Sequence, residues 1–557
     1  MANLSPEQVF SQAVQLVRAG RLGDALPLFE QLATLTPNHP EVVRFQGICL
    51  FGIGRAAEGM GFLRRAVALA PQSPLGYDSL ATALHLQGEQ AEAIGLLRRA
   101  LQIDPNYQEA LNHLGVSLQQ TGQLEEAAAT FDRLLKLNPN HAHGLNNRAN
   151  VLREQGKHDE AIEDYRRYIS LVPNAALALD NLATILTQVG RFEDARPLFE
   201  RAIALQPQSS IFHSNLIYAL CFQPGETAER VSAEHARWNA RHAEPVAALR
   251  KPHGNAREPE RRLRVGYVSP DFYAQAEAFF VIPLLEQQDR SQFEIYCYSS
   301  VIHPDWLTER FQKAADVWRH VRALSDAALA EQIRADGIDV LIDLTMHMAN
   351  NRLPLFAMKP APVQVTWLAY PGSTGVAAID YRLTDGIIDP VGDADEKFYP
   401  EKPLRLPDSW CCYDPLGEEP AREAEQRGTI CFGSLNNPCK MNPALIALWA
   451  RVLMAVPGSR MLLLAYAETH RAQLRAAFAT HGVDAERVEF AGRMKRAEYL
   501  RAYDRIDIGL DTLPYNGVTT TCDALWMGVP MVTLMGNSAA GRAGASLLNA
   551  AGLAEWI

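Results

Sequence analysis

The sequence predicts an all-α repeat array followed by two tandem α/β units. Prolines at positions 37, 71, 105, 139, 173 and 207 are spaced by 34 residues, and glycines at 20, 54, 88, 122, 156 and 190 keep the same period. From Leu263 onward the pattern changes to short β-rich runs alternating with helical stretches, and this alternation starts afresh after a polar loop near Glu418 to Arg427. A chain of 557 residues and 61.6 kDa has room for such a set, at roughly 100 to 200 residues per domain.

Further columns of the repeat follow the same phase. Ala25, Gly59, Ala93, Ala127, Ala161 and Ala195 are small residues that let paired helices approach, and Phe29, Leu63, Leu97, Phe131, Tyr165 and Phe199 fill the gap between pairs. Glycine accepts the positive φ of the turn between helices, and proline follows a helix that it cannot continue. The pattern resembles the tetratricopeptide repeat, with the solenoid spanning 6–221 and presenting a concave face. Eight residues after each repeat proline stand Phe45, Ser79, His113, Asn147, Asn181 and Asn215. A carboxamide donates and accepts, so Asn147, Asn181 and Asn215 are candidates for gripping the backbone of an extended peptide; the competing reading is local turn satisfaction. Residues 222–262 read as a connector with one amphipathic helix around Arg230 to His242.

In the first α/β unit, 263–417, LRVGYVS, FEIYCYSS, VLIDLT and VQVTWL are the strands, with DAALAEQIRADG as a helix ending near Gly337. In the second, 428–557, TICFGS, MLLLAY, RVEFAG, IDIGLD and PMVTLM are strands and PALIALWARVLMAV is a helix. Open α/β sheets bind ligands at the strands' carboxyl ends, so two in tandem predict a cleft between them. Neither unit holds GxGxxG or GxxxxGK[ST], which removes the main support for dinucleotide and P-loop readings. The segment from Ile506 to Leu534 is densest in chemistry: a strand ends at Asp511, a Pro/Asn/Gly turn follows, and Thr519, Thr520 and Thr521 open a helix carrying Asp523. Such a helix start suits a diphosphate, Gly517 permits close backbone approach, and Asp523 stands where both hydroxyls of a ribose would find an acceptor. Ordinary capping by threonine competes with that reading.

Composition excludes several classes. Hydrophobic residues at 48% and charged residues at 21% are those of a globular chain, with a formal charge of −11. No Lys/Arg stripe interleaved with aromatics points to nucleic acid. The start, MANLSPEQVF, lacks the regions of a signal peptide, the apolar runs are short of a membrane span, and the eight cysteines include no CxxC pair, so a soluble chain with reduced thiols in the cytoplasm is expected.

From Leu263 on, the stretches VGYVSPDF, GIDVLIDLT, KPAPVQVTWLAYPGSTG, IDYRLTD, FGSLNNPCKMNP, PYNGVTTTCDALWMGVPMVTL and GRAGASLL resemble the catalytic region of the O-GlcNAc transferase and SPINDLY family. The resemblance implies a glycosyltransferase-B fold of two Rossmann-like domains joined to the repeats. It also implies UDP-GlcNAc as donor, no metal or other cofactor, and inverting transfer to Ser or Thr of proteins held by the repeats. It assigns Lys440 to the leaving diphosphate, Asn437 to a polar contact with the nucleotide, Thr519 to Thr521 to the phosphates, Asp523 to the ribose and Tyr499 to stacking on the base, where the family usually has histidine. The sugar side departs from the pattern. Gln275 stands where the SPDF loop of the family has histidine, and Met346, His347 and Met348 stand for GHT, retaining only the histidine. Ala369 replaces a glycine and Ala539 a histidine. A carboxamide cannot take a proton near neutral pH, so Gln275 brings the base role into question and leaves His347 as its candidate, with a structural histidine at a strand end as the competing reading of His347. A changed donor pocket, and a scaffold that binds proteins and nucleotide without catalysis, remain as alternatives. Relatives continue through further helices after GRAGASLL, so a shortened last domain is expected.

Overall fold

The computed structural model describes residues 5–417 and 428–557; the polar loop read at Glu418 to Arg427 lies outside the described residues. The chain divides into two compact units, Met1–Pro173 and Asn174–Ile557.

Among the described residues, the first unit holds five helix pairs, from Pro6–Arg18 with Leu22–Leu35 to Ala142–Glu154 with His158–Leu171. The repeat columns do what their chemistry predicts. Gly54 turns between helices at φ 90°, a conformation that costs a side-chain-bearing residue about 1 kcal/mol or more. At Gly59 a Cβ would come within 2.6 Å of the Phe51 nitrogen, so the small column is set by helix approach. Phe29, Leu63, Leu97, Phe131 and Tyr165 are all buried. Residues of successive repeats are also tied by polar bonds: His113 Nδ1 lies 2.7 Å from Asp78 Oδ1, and Asn147 Nδ2 donates to Asn112 Oδ1 at 3.1 Å.

The second unit opens with the helices Ala176–Gln188, Phe192–Leu205 and Ser210–Leu220. The division therefore falls inside the repeat region read as 6–221. Its reason is packing: Ile217 and Trp238 are buried in one apolar cluster with Val268, Tyr298, Leu341 and Val376 of the α/β part. The connector helix runs Ala228–Trp238, capped by Thr227, and continues as a π turn, Asn239–Ala243.

Two parallel sheets follow. β1 (Leu263–Ser269), β2 (Phe293–Ser299), β3 (Val317–His320), β4 (Val340–Asp343), β5 (Val363–Thr366), β6 (Tyr381–Asp385) and β7 (Lys402–Leu406) lie in the order β3-β2-β1-β4-β5-β6-β7. β8 (Cys431–Ser434), β9 (Arg460–Leu464), β10 (Val488–Ala491), β11 (Ile508–Leu510) and β12 (Met531–Val532) lie in the order β10-β9-β8-β11-β12. Each sheet reverses its order once, between β1 and β4 and between β8 and β11, and the loops leaving those strands form the ligand crevice of a doubly wound sheet. Among the described residues, no helix is long and apolar enough to cross a membrane.

Candidate active site

The loops after β1, β4, β8 and β11 converge on two cavities that share Gln275, Ala276, Asn437, Thr519 and Thr520. The first, about 250 Å³, is lined also by Tyr218, Phe222, Glu277, Met348, Asn436 and Lys440. The second, about 400 Å³, adds Phe279, Leu435, Tyr466, Arg496, Tyr499 and Asp523. Together they have the size and the mixed apolar and polar walls of a cofactor-sized ligand site.

Lys440 ends a short turn, Pro438–Lys440, that Asn437 caps by accepting from the Cys439 amide at 3.2 Å. Its Nζ donates to the Asn516 carbonyl at 2.8 Å, lies 3.4 Å from Asn436 Oδ1, and sits 4.2 Å from the centre of the Tyr515 ring. These are neutral partners. Among the described residues no carboxylate forms an ion pair with Lys440, and burial brings its ammonium down to about 8. A desolvated cation held by carbonyls and a ring is a ready anion site.

The helix Thr519–Trp526 begins at the first threonine, and no side chain caps it. The capping reading of the threonines is therefore not what the structure shows. Thr521 Oγ1 donates back to the Gly517 carbonyl at 3.0 Å, and Thr520 Oγ1 donates to Asn436 Oδ1 at 2.9 Å. The helix start thus keeps its N–H groups for a ligand. Gly517 is required by contact and not by φ: a Cβ there would fall 2.2 Å from Thr520 Oγ1. Asp511 holds the turn by accepting from the Gly517 amide at 2.7 Å and from Thr533 Oγ1 at 2.8 Å.

Asp523 reaches the second cavity but is only 1% exposed. Arg496 pairs with both its oxygens, at 2.8 and 2.5 Å, and the Tyr413 hydroxyl donates to Oδ1 at 2.6 Å. Of the roughly four lone-pair sites of a carboxylate, three are taken. The expectation that it accepts two ribose hydroxyls is corrected to one open direction on Oδ2. Arg496 also lies 4.2 Å from the Phe279 ring centre, so Phe279, Arg496, Asp523 and Tyr413 join the two α/β halves. Tyr499 lines the same cavity, its hydroxyl 2.9 Å from that of Tyr503.

The sugar-side candidates part company. Gln275 lines both cavities and its Nε2 is buried without a hydrogen-bond partner. His347 is no free base: it is fully buried, outside the lining of both cavities, with Nδ1 2.9 Å from Ser214 Oγ and Nε2 2.8 Å from the Thr374 carbonyl. Burial and the neighbouring His235 hold its pKa well below the usual range. Its catalytic assignment is corrected to a structural one. Met346 adopts φ 47° where the resembled family has glycine, so that replacement carries backbone strain, and Met348 reaches the cavity wall. Asn215 Nδ2 donates to Asp180 Oδ2 at 2.8 Å. As with Asn147, a neighbouring repeat takes one N–H of the carboxamide, and the Asn147 oxygen in turn lies 3.5 Å from Asn146 Nδ2.

Sequence reasoning missed Arg496, Tyr413, Asn436 and Glu277. The first three take their roles from pairing across long sequence separations. Glu277, two residues from Gln275, precedes an apolar helix and reads as a capping residue, yet it caps nothing.

Residues 208–415 and 424–557 match the family model Glycosyl transferase family 41. The chain belongs to glycosyl transferase family 41. Tetratricopeptide repeat models match 10–74, 113–176 and 152–216. This family 41 chain is 38% identical over 315 residues to the probable UDP-N-acetylglucosamine--peptide N-acetylglucosaminyltransferase SPINDLY of Petunia hybrida, covering 54% of this chain and 34% of that protein. It is 33% identical over 313 residues to the corresponding SEC protein of Arabidopsis thaliana, covering 53% and 31%. The chain thus spans about a third of the length of the curated relatives it matches. The solved structure of a mutant Thermobaculum terrenum O-GlcNAc transferase is similar with a TM-score of 0.74 and 35% identity, over 81% of this chain and 86% of that one. The fold is that of this family: a repeat solenoid followed by two parallel-sheet α/β domains.

Proposed function

We propose that this family 41 chain transfers a sugar, GlcNAc from UDP-GlcNAc, to Ser or Thr hydroxyls of proteins with inversion at the anomeric carbon. The observation that carries the reading is Lys440, a buried cation without a carboxylate partner, beside the uncapped helix start at Thr519 where the two cavities meet. Uridine occupies the second cavity against Tyr499, the diphosphate spans Lys440, Thr519 and Thr520, and the sugar enters the first cavity. As the glycosidic bond breaks, negative charge grows on the diphosphate, and pre-placed donors stabilise it without reorganising. The test is a panel of UDP-sugars offered with Ser/Thr peptides and read by mass spectrometry. Modification from UDP-GlcNAc above all others supports the reading; modification from another donor reassigns the sugar, and none from any donor removes it.

Charge compensation by Lys440 and backbone N–H groups leaves no role for a metal in binding. UDP is therefore expected to bind with the same affinity in EDTA as in magnesium, measured by calorimetry; binding abolished by the chelator would refute this.

The repeats are proposed to hold protein acceptors along the row of carboxamides at Asn147, Asn181 and Asn215. Replacing all three by Ala is expected to weaken transfer to long acceptors while sparing donor hydrolysis and short peptides. Equal losses on all three substrates would indicate misfolding instead.

A further inference from the structure

Transfer to a hydroxyl requires that its proton go somewhere. In this chain the carboxamide of Gln275 cannot take it, and both nitrogens of His347 are engaged. Among the residues lining the first cavity, Lys440 is a cation, burial pushes the Cys439 thiol up to about 12, and the Tyr218 and Tyr515 phenols are raised further. Glu277 is the carboxyl among them.

Its surroundings are unusual for a structural acid. Glu277 is 7% exposed, and neither carboxylate oxygen has a partner at full hydrogen-bond geometry, although the Gln275 carboxamide is near enough to favour its charged form. Asp343, buried nearby at the end of β4, accepts from the Thr345 and Met346 amides and from Thr366 Oγ1. An unpaired buried carboxyl is a standing cost, which a fold keeps only where another use offsets it. Glu277 lines the first cavity and not the second, so it stands on the sugar side. It follows β1, whereas Lys440 follows β8, so the two reach the cavity from different sheets.

We propose that Glu277 is the proton acceptor of the transfer, an assignment that rests on the function proposed above. Its carboxylate takes the proton of the acceptor hydroxyl as that oxygen bonds to the anomeric carbon. The bond from that carbon to the diphosphate oxygen breaks, and its electron pair leaves with UDP. The groups facing Glu277 are Asp271 and Tyr273 of its own loop, Asp343 at the end of β4, Tyr218 of the helix Ser210–Leu220 and Lys440 across the cavity, with the Gln275 carboxamide beside it. Burial first, then the charges of Asp271 and Asp343, hold its pKa well above the ordinary carboxylate range. Transfer therefore rises with pH as Glu277 ionises and falls again as Lys440 loses its proton near 8.

Glu277→Gln is the test, with turnover, pH profile and UDP affinity measured together. Turnover is expected to fall about 10²-fold to 10⁴-fold, the acid limb to vanish, and UDP affinity to stay unchanged. Glu277→Ala should regain part of its rate from added formate, which a purely structural role would not produce. Unchanged turnover, an acid limb that persists, or a loss confined to KM for the donor would overturn the assignment while leaving the transfer reading in place. Absence of turnover by the unsubstituted chain with every UDP-sugar would remove that reading, and Glu277 as its base with it.

Discussion

Lys440→Ala is expected to lower turnover about 10²-fold to 10³-fold, the range seen when one pre-placed stabiliser of transition-state charge is removed. The ground-state diphosphate already carries charge, so UDP-sugar affinity should weaken too, but by much less than turnover, because only the growing charge is stabilised differentially. Alanine leaves the Asn516 carbonyl and the Tyr515 ring face without their cation. Lys440→Arg keeps the charge but not the compact geometry, so it should recover affinity more than rate. Steady-state kinetics with UDP alone as a competitive ligand separates the two quantities. Equal losses in affinity and turnover would make Lys440 a binding group only.

Acid is expected to destabilise the second unit well before ordinary carboxylates titrate. His235, His242 and His347 lie around Trp238, with His235 stacked on His347 at 5.2 Å. Burial lowers His235 and His242 from 6.5 to about 4, so both rings are neutral in the folded chain at pH 7. Their folded pKa lies below the unfolded one, so the stabilisation is intact above 6.5 and is lost as pH falls from there toward 4. At 1.36 kcal/mol per unit, each ring accounts for a loss on the order of 3 kcal/mol at the acid end. His213 is left out of that sum, because its Nε2 lies 2.5 Å from Glu234 Oε1, a contact that favours the charged ring. Urea titrations at pH 7.5 and 5 should show the difference, and His235→Phe should shrink it; a midpoint that does not move would refute the neutral-histidine reading.

The repeats were legible because their 34-residue period carries both turn and packing chemistry in fixed columns. The strands beside the site, β1, β4, β8 and β11, were legible as apolar β-rich runs. β3 and β7, VWRH and KPLRL, were not, because charges interrupt them and none of their residues is fully buried, which leaves little apolar periodicity over so few residues. Lys440, Asn437, Thr519 and Thr520, which local sequence and family resemblance singled out, line one cavity, whereas Thr521 is buried outside both linings with its hydroxyl on the Gly517 carbonyl. The state of Asp523 was not legible, since Arg496 and Tyr413 reach it across 27 and 110 residues. Nor was that of Glu277: burial and the lack of a partner arise from the helix that brings Tyr218 and from the loops after β4 and β8, which no local pattern announces.

The central claim is that the diphosphate of a UDP-sugar lies between Lys440 and the helix start at Thr519, with uridine in the cavity walled by Tyr499 and Arg496. A crystal structure of the chain soaked with UDP tests it most directly. The account predicts phosphate oxygens within hydrogen-bond distance of Lys440 Nζ and of the backbone N–H groups of Thr519 and Thr520. UDP bound with its phosphates away from Lys440, or outside these two cavities, would contradict it.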